Sequence, residues 1–247
     1  MEQPPDDERH RILPTNDLLF RKLMTSEGHK GIIQGFIWVF FGLKVAVEDI
    51  QIANPYIIDT FTQTDLDGRE INHLRQLIPD VVIIVPQANL MIEMQREATS
   101  YFVDRATVYL AEKFCRRYDN NPGDKRPVDS ILPTWQMNVL GDIFFHEDAF
   151  AYRMVDLPTP SKRKPLPLLR QGFFELGKTP DTPDMRYWQH FLLTGCALPG
   201  APEYLRDAEA IVDNTNLTTV EREMITLLQK QQDYIDDRIA DGIALDG

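Results

Sequence analysis

The stretch Pro79-Asp80-Val81-Val82-Ile83-Ile84-Val85-Pro86-Gln87-Ala88-Asn89-Leu90-Met91-Ile92-Glu93-Met94-Gln95 decides the fold. Residues 81–85 are a continuous β-branched run, the pattern of a strand covered on both faces. Pro86 to Asn89 supplies a turn and Leu90 to Gln95 a return strand, so the segment predicts an antiparallel hairpin. A loop centred between Pro86 and Gln87 sets residue 80 opposite residue 93, and a centre shifted by one residue sets it opposite 95. In either register Asp80 and Glu93 are cross-strand neighbours, within roughly 5–8 Å. Glu93 and Gln95 share a face because side chains alternate along a strand, while Ile92 and Met94 point the other way. Read singly, Asp80 also fits a plain strand terminator after proline. Glu93 sits inside an apolar run, where an acid needs a partner or a metal. Two carboxylates and an amide thus converge at one sheet edge, and carboxylate oxygens are what Mg²⁺ takes while it keeps waters for a reaction.

Outward from the hairpin, Thr99 opens a helix to about Arg117, with Phe102, Ala106, Tyr109, Leu110 and Phe114 on one side. Asp119-Asn120-Asn121-Pro122-Gly123 ends it. Thr134 to Phe145, Ala149 to Val155 and Gly172 to Leu176 read as further strands, with Ser161 to Pro167 a basic, proline-rich linker. Upstream, Thr15 or Asn16 caps a helix from Asp17 to Met24. A second helix runs from Lys30 to Phe41 and stops at Gly42. Lys44 to Ile52 alternates like a strand, and residues 55–76 carry no clear pattern. Beyond Pro183 the chain is helical, and Thr218 with Glu221 forms a capping box for the last helix. That helix carries Val220, Met224, Leu227, Leu228, Ile235 and Ile239 near helical spacing, a stripe to bury on its own domain or in a homodimer. The expected organisation is an N-terminal tail over 1–12, an α/β domain over 13–180 and a helical region over 181–247.

Apolar content of 43% and charged content of 26% call for a packed core rather than disorder. Cys115 and Cys196 make neither a disulfide framework nor a metal cluster and point to a reducing compartment. No secretory leader is expected, and the most apolar stretch, Gly31 to Leu43, is too short to span a bilayer. The expected address is cytoplasmic, with no membrane partner. A net charge of −12 argues against a generic polyanion binder. Residues 203–247, however, hold 11 acids against 4 bases, and residues 1–12 add −2, so 13–202 carries only −3. The field at a site is set locally.

Asp80, the intervening turn and Glu93-x-Gln95 resemble the D…E-x-K pattern of PD-(D/E)XK nucleases. Within them, the chain is similar to the Rpn recombination-promoting nucleases, also described as PD-(D/E)XK nuclease family transposases. The similarity rests on Leu13-Pro14-Thr15-Asn16-Asp17-Leu18-Leu19-Phe20-Arg21-Lys22-Leu23 at the start and on Glu93-Met94-Gln95 followed by Arg105-Ala106 and Tyr109. Trp188-x-x-Phe191-Leu192 and the closing amphipathic helix add to it. The resemblance implies a restriction-endonuclease-like α/β core of order αβββαβ with a mixed sheet and a helical C-terminal extension. It implies cleavage of DNA that depends on Mg²⁺, with Mn²⁺ as a substitute. On it, Asp80 and Glu93 are metal ligands, Asp17 on the first helix binds metal through water, and Gln95 stands where most of the superfamily has lysine. Arg105 and Tyr109, four apart on one helix face, match the pair beside the scissile phosphate in related nucleases.

Each residue also has a structural reading. Asp17 fits an N-terminal capping acid, Arg105 fits an ion pair with Asp104 or Glu112, and Tyr109, Trp135, Trp188 and Phe191 fit core positions. His73, His146 and His190 lack ligand spacing, and Lys162-Arg163-Lys164 fits a solvated loop. Two functions follow: a Mg²⁺-dependent DNA endonuclease acting on mobile or invading DNA, or a non-catalytic DNA-binding or protein-interaction module with the same fold. Gln95 keeps the second open, because an amide cannot carry the charge or proton of lysine. RNA is a third, weaker choice of substrate.

Overall fold

A computed structural model describes residues 12–53, 58–64, 70–76, 80–96, 101–119, 132–158 and 165–213, together with positions 98, 218 and 219. In chain order these form α1 (Asp17–Thr25), α2 (Lys30–Phe36), β1 (Gln51–Ala53), β2 (Ile58–Thr64), β3 (Glu70–Gln76), β4 (Val81–Val85) and β5 (Ala88–Gln95). There follow α3 (Phe102–Asp119), β6 (Thr134–Leu140), β7 (Tyr152–Pro158), β8 (Pro165–Glu175), α4 (Pro183–Thr194) and α5 (Glu203–Val212).

The architecture is mixed α/β. One six-stranded sheet runs in the order β1-β4-β5-β6-β8-β7, and β2 and β3 form a separate antiparallel hairpin. Strand β4 runs antiparallel to both its neighbours, β1 and β5; β6 joins β5 in parallel after α3, β8 joins β6 in parallel, and β7 closes the edge antiparallel to β8. The turn between β4 and β5 is only Pro86-Gln87, with Val85 paired to Ala88 and Val81 to Ile92.

The alternation of β5 assigns the two faces of the sheet. Leu90, Ile92 and Met94, with Val81, Ile83, Val85, Met137, Val139 and Phe174, join the main hydrophobic cluster with α1, α2, α4 and α5. Asn16 caps α1 by accepting the Leu19 N–H at 3.3 Å. Its buried stripe is Leu19, Phe20, Leu23 and Met24. The α2 helix widens into a π turn over Ile37–Phe41 and stops at Gly42, whose φ of 67° suits a residue without Cβ. Trp188 of α4 meets Phe36 edge-on at 5.2 Å, and Phe40 meets Phe174 at 4.8 Å, so helices and sheet share one aromatic core. Burying each such ring contributes about 1.5–3 kcal/mol. The C-terminal helices α4 and α5 are therefore part of the main core, not a detached layer. On the other face α3 packs Phe102 and Ala106 onto Leu140 and Phe173.

Several elements differ from the sequence expectation. The strand expected over Lys44–Ile52 shrinks to β1, because Asp49 and Ile50 donate to the Ala46 and Val47 carbonyls in a 3₁₀ turn that buries Ile50. Strand β6 ends at Leu140 rather than Phe145. There the Gly141 N–H turns to the Gln95 carbonyl, and Glu175 Oε1 captures the Phe144 and Phe145 N–H groups at 2.6 and 2.9 Å. Part of the expected linker, from Pro165, belongs to β8, which is longer than the Gly172–Leu176 expected for it. The unpatterned 55–76 region contains the β2–β3 hairpin. The 1–11 part of the tail, the basic Lys162-Arg163-Lys164 and all but residues 218 and 219 of the last helix lie outside the described residues.

Candidate functional site

Opposite the Pro86-Gln87 turn, the hairpin ends where Asp80 enters β4 and Glu93 leaves the centre of β5. With Val81 paired to Ile92, the register sets Asp80 across from Glu93. Asp80 is buried, 8% exposed, and both its oxygens are held. Oδ1 accepts from Arg21 Nη2 of α1 at 3.3 Å, and Oδ2 accepts the Met94 main-chain N–H at 2.7 Å.

Glu93 is bound less completely. The Asp80 main-chain N–H donates to its carboxylate, while its Oε1 is buried without a hydrogen-bond partner. Burial first, and then the neighbouring Asp80 charge, push the Glu93 pKa well above the ordinary carboxylate value. Arg105, Arg21 and the hydrogen bond from Asp80 offset part of that rise. The side chain is thus an acid whose charged form lacks full compensation.

Gln95 lies two residues on, on the same face. Its Oε1 accepts from Arg105 Nη2 of α3 at 2.6 Å. Arg105 also lies over the Phe102 ring, 5.9 Å from its centroid, so the guanidinium is placed by its own helix as well. Tyr109 follows one turn later on α3 and is half-buried. The structure therefore brings Asp80, Glu93, Gln95 and Arg105 together around the end of the hairpin. Asp17 begins α1, four residues before Arg21, and its side chain lies outside the described residues.

The sequence reading missed a role for Arg21, which with Lys22 is one of two adjacent bases on α1, and a row of amides on the sheet face that carries Glu93. Across the parallel pairing, Asn138 of β6 is the register partner of Glu93, and Gln136 partners Met91; on β8, Gln171 partners Gln136. Asn138 and Gln136 are fully buried. Asn138 Nδ2 donates to the Gly172 carbonyl at 2.9 Å, and Gln171 Oε1 accepts from the Thr107 hydroxyl at 3.2 Å. The remaining ends, Asn138 Oδ1, Gln171 Nε2 and both polar atoms of Gln136, are buried without hydrogen-bond partners. Their signal in the sequence was the same alternation that marks Glu93: Gln136 and Asn138 interrupt Trp135, Met137 and Val139.

Comparison with protein-family models, with curated proteins and with solved structures finds no match. Among the described residues no three His, Cys, Asp or Glu side chains are grouped as metal ligands, and no helix is long and apolar enough to cross a membrane. The site holds a pair of carboxylates, two guanidiniums and a set of amides. Chemically, such an arrangement can bind a hard cation through oxygen and orient a polar substrate through donors.

Proposed function

We propose that this chain is a divalent-metal-dependent DNA endonuclease of the PD-(D/E)XK type, acting in mobile-element recombination or against invading DNA. The observation that carries the reading is the pairing of Asp80 with Glu93 across the hairpin, one carboxyl oxygen of Glu93 being buried without a donor. What supports the fold part of the reading is the main sheet taken without the inserted β2–β3 pair: helices α1 and α2, then β1, β4 and β5 in antiparallel succession, α3, and β6 parallel to β5, an order compatible with the αβββαβ core that the sequence resemblance implies.

The residues present fit a cation. A buried carboxyl oxygen with no hydrogen-bond partner, next to a second carboxylate, is a donor set that a hard ion satisfies. Asp80 and Glu93 would hold Mg²⁺ or Mn²⁺, with Asp17 as the third acid suggested by the resemblance. When bound, the ion supplies an acid for water and offsets charge gathering on a phosphodiester. The protein's own groups do the rest. Arg21 and the Met94 N–H fix Asp80. Arg105 fixes the Gln95 amide by its oxygen. Arg105 and Tyr109 face DNA from α3.

A second reading is a DNA-binding or protein-interaction module without turnover. It is favoured by the Arg21–Asp80 ion pair at 3.3 Å and the Arg105–Gln95 bond, since guanidiniums there supply positive charge without a metal. The experiment that separates them is the initial nicking rate of supercoiled plasmid by the full chain with Mg²⁺, with Mn²⁺ and with EDTA, beside Glu93→Gln. Cleavage that requires metal and is lost in the variant supports the endonuclease. DNA binding with no cleavage under either metal supports the module, and cleavage that survives Glu93→Gln removes this site from both readings.

A further inference from the structure

We propose that Asn138 supplies a third oxygen to the cation site, so that the ligand set is Asp80, Glu93 and the Asn138 side-chain carbonyl. The inference rests on the metal-site reading above and adds a residue to which no role has been assigned.

Three observations carry it. Asn138 is the register partner of Glu93 on the adjacent parallel strand, so both side chains stand on the same face of the sheet as nearest neighbours. Its orientation is determined chemically: only Nδ2 can donate to the Gly172 carbonyl, which accepts it at 2.9 Å, so Oδ1 is the other end of a fixed amide. That Oδ1 is buried without a partner on a residue with no exposed surface, and Oε1 of its register partner Glu93, a part-buried residue, is likewise buried without a partner. Two buried acceptors on paired residues cost free energy unless a proton on Glu93 or a cation satisfies them, and only the cation leaves Glu93 charged. An amide carbonyl together with carboxylates is the oxygen-only set that Mg²⁺, Mn²⁺ and Ca²⁺ accept, and it lacks the nitrogen or sulfur that zinc favours.

The test is Mn²⁺ binding to the full chain, read by titration calorimetry and by the loss of the free-ion spin-resonance signal, without reference to cleavage. Parent, Asn138→Ala, Asn138→Asp and Glu93→Gln are compared. The expected result is parent binding that Mg²⁺ competes away, weakened about 10–100-fold in Asn138→Ala, the scale of losing one group that supports a metal site. Asn138→Asp adds charge at the ion but gives up the Nδ2 donation to the Gly172 carbonyl, so without metal it should melt below the parent, while it should bind Mn²⁺ more tightly and gain more melting temperature from it. If Asn138→Ala binds Mn²⁺ as the parent does while Glu93→Gln does not, Asn138 is no ligand and the carboxylate site stands. If Asn138→Ala does not fold, Asn138→Asp decides, and an unchanged affinity there overturns the proposal. Absence of Mn²⁺ binding by the parent overturns this inference and the metal-site reading together.

Discussion

Replacing Glu93 by glutamine keeps the side chain's shape and removes its charge, so it isolates what the buried carboxyl costs. In the folded protein burial and the Asp80 charge hold the Glu93 pKa well above the ordinary carboxylate value; in the unfolded chain it titrates near about 4.3. Below the unfolded value both states are protonated. As pH rises past it, the unfolded chain releases a proton that the folded chain retains, so stability falls with rising pH up to the folded pKa and is level above it. Glu93→Gln has no proton to lose and lacks that fall. An uncompensated buried polar group costs about 1–3 kcal/mol, and for a chain of this length each kcal/mol moves Tm by about 2–4 °C. The variant should therefore melt roughly 2–12 °C above the parent at pH 8 and level with it near pH 4. Mg²⁺ at about a hundred times its Kd should then raise the parent by about 2.7 kcal/mol and leave the variant unmoved. The assay is a thermal melt of both proteins across pH, with and without Mg²⁺. A variant that melts below the parent at pH 8 without metal would refute the reasoning, because Glu93 would then be a satisfied structural acceptor.

Asp80→Ala should abolish cleavage and, by releasing Arg21 and the Met94 N–H, cost about 1.5–3 kcal/mol in urea unfolding; a fully stable but inactive variant would show that neither bond contributes. Gln95→Ala should lower plasmid nicking about 10–1,000-fold, the effect of removing one positioned polar group, and nicking at the parental rate would make Gln95 a spectator. Gln95→Lys sets an ammonium against the Arg105 guanidinium that now donates to Gln95, so it should nick slowly alone and recover when paired with Arg105→Gln; equal rates for the single and double variants would sink that coupling. Gly35→Ala would place a Cβ 2.5 Å from the Tyr204 ring, so it should cost about 1–3 kcal/mol by forcing α5 outward, and an unchanged urea midpoint would show that Tyr204 swings aside freely.

The hairpin was legible from sequence because three signals agree there: a β-branched run, a proline turn and the alternation of Ile92, Glu93, Met94 and Gln95 at the end of the return strand. That agreement gave Asp80 and Glu93 as cross-strand neighbours and the shared face of Gln95; between the two registers left open, the structure selects the one that sets Asp80 opposite Glu93. Where one signal stood alone, the reading strayed. Lys44–Ile52 alternates like a strand, but its exposed Val47, Glu48 and Asp49 are set by a local turn that periodicity does not record. The end of β6 is fixed by Glu175, far along the chain, taking the Phe144 and Phe145 N–H groups, a tertiary choice invisible in the strand's own residues. Arg21 escaped notice for the same reason: its role depends on α1 crossing the start of β4, which no local pattern states.

The Pro86-Gln87 turn has a bearing on which length changes the gene could tolerate. Both residues are exposed, the usual setting for a harmless insertion. Yet the turn lies about 17–20 Å from the carboxylates, counting about 3.4 Å for each residue along the strands, and it alone sets how they meet. One extra residue absorbed into the return strand would exchange its faces, sending Glu93 into the aromatic core and Met94 out to where the acid stood. Two extra residues would keep the faces but slide the acids past each other. A single added codon at this exposed tip would therefore disable the far end of the hairpin without touching any residue there.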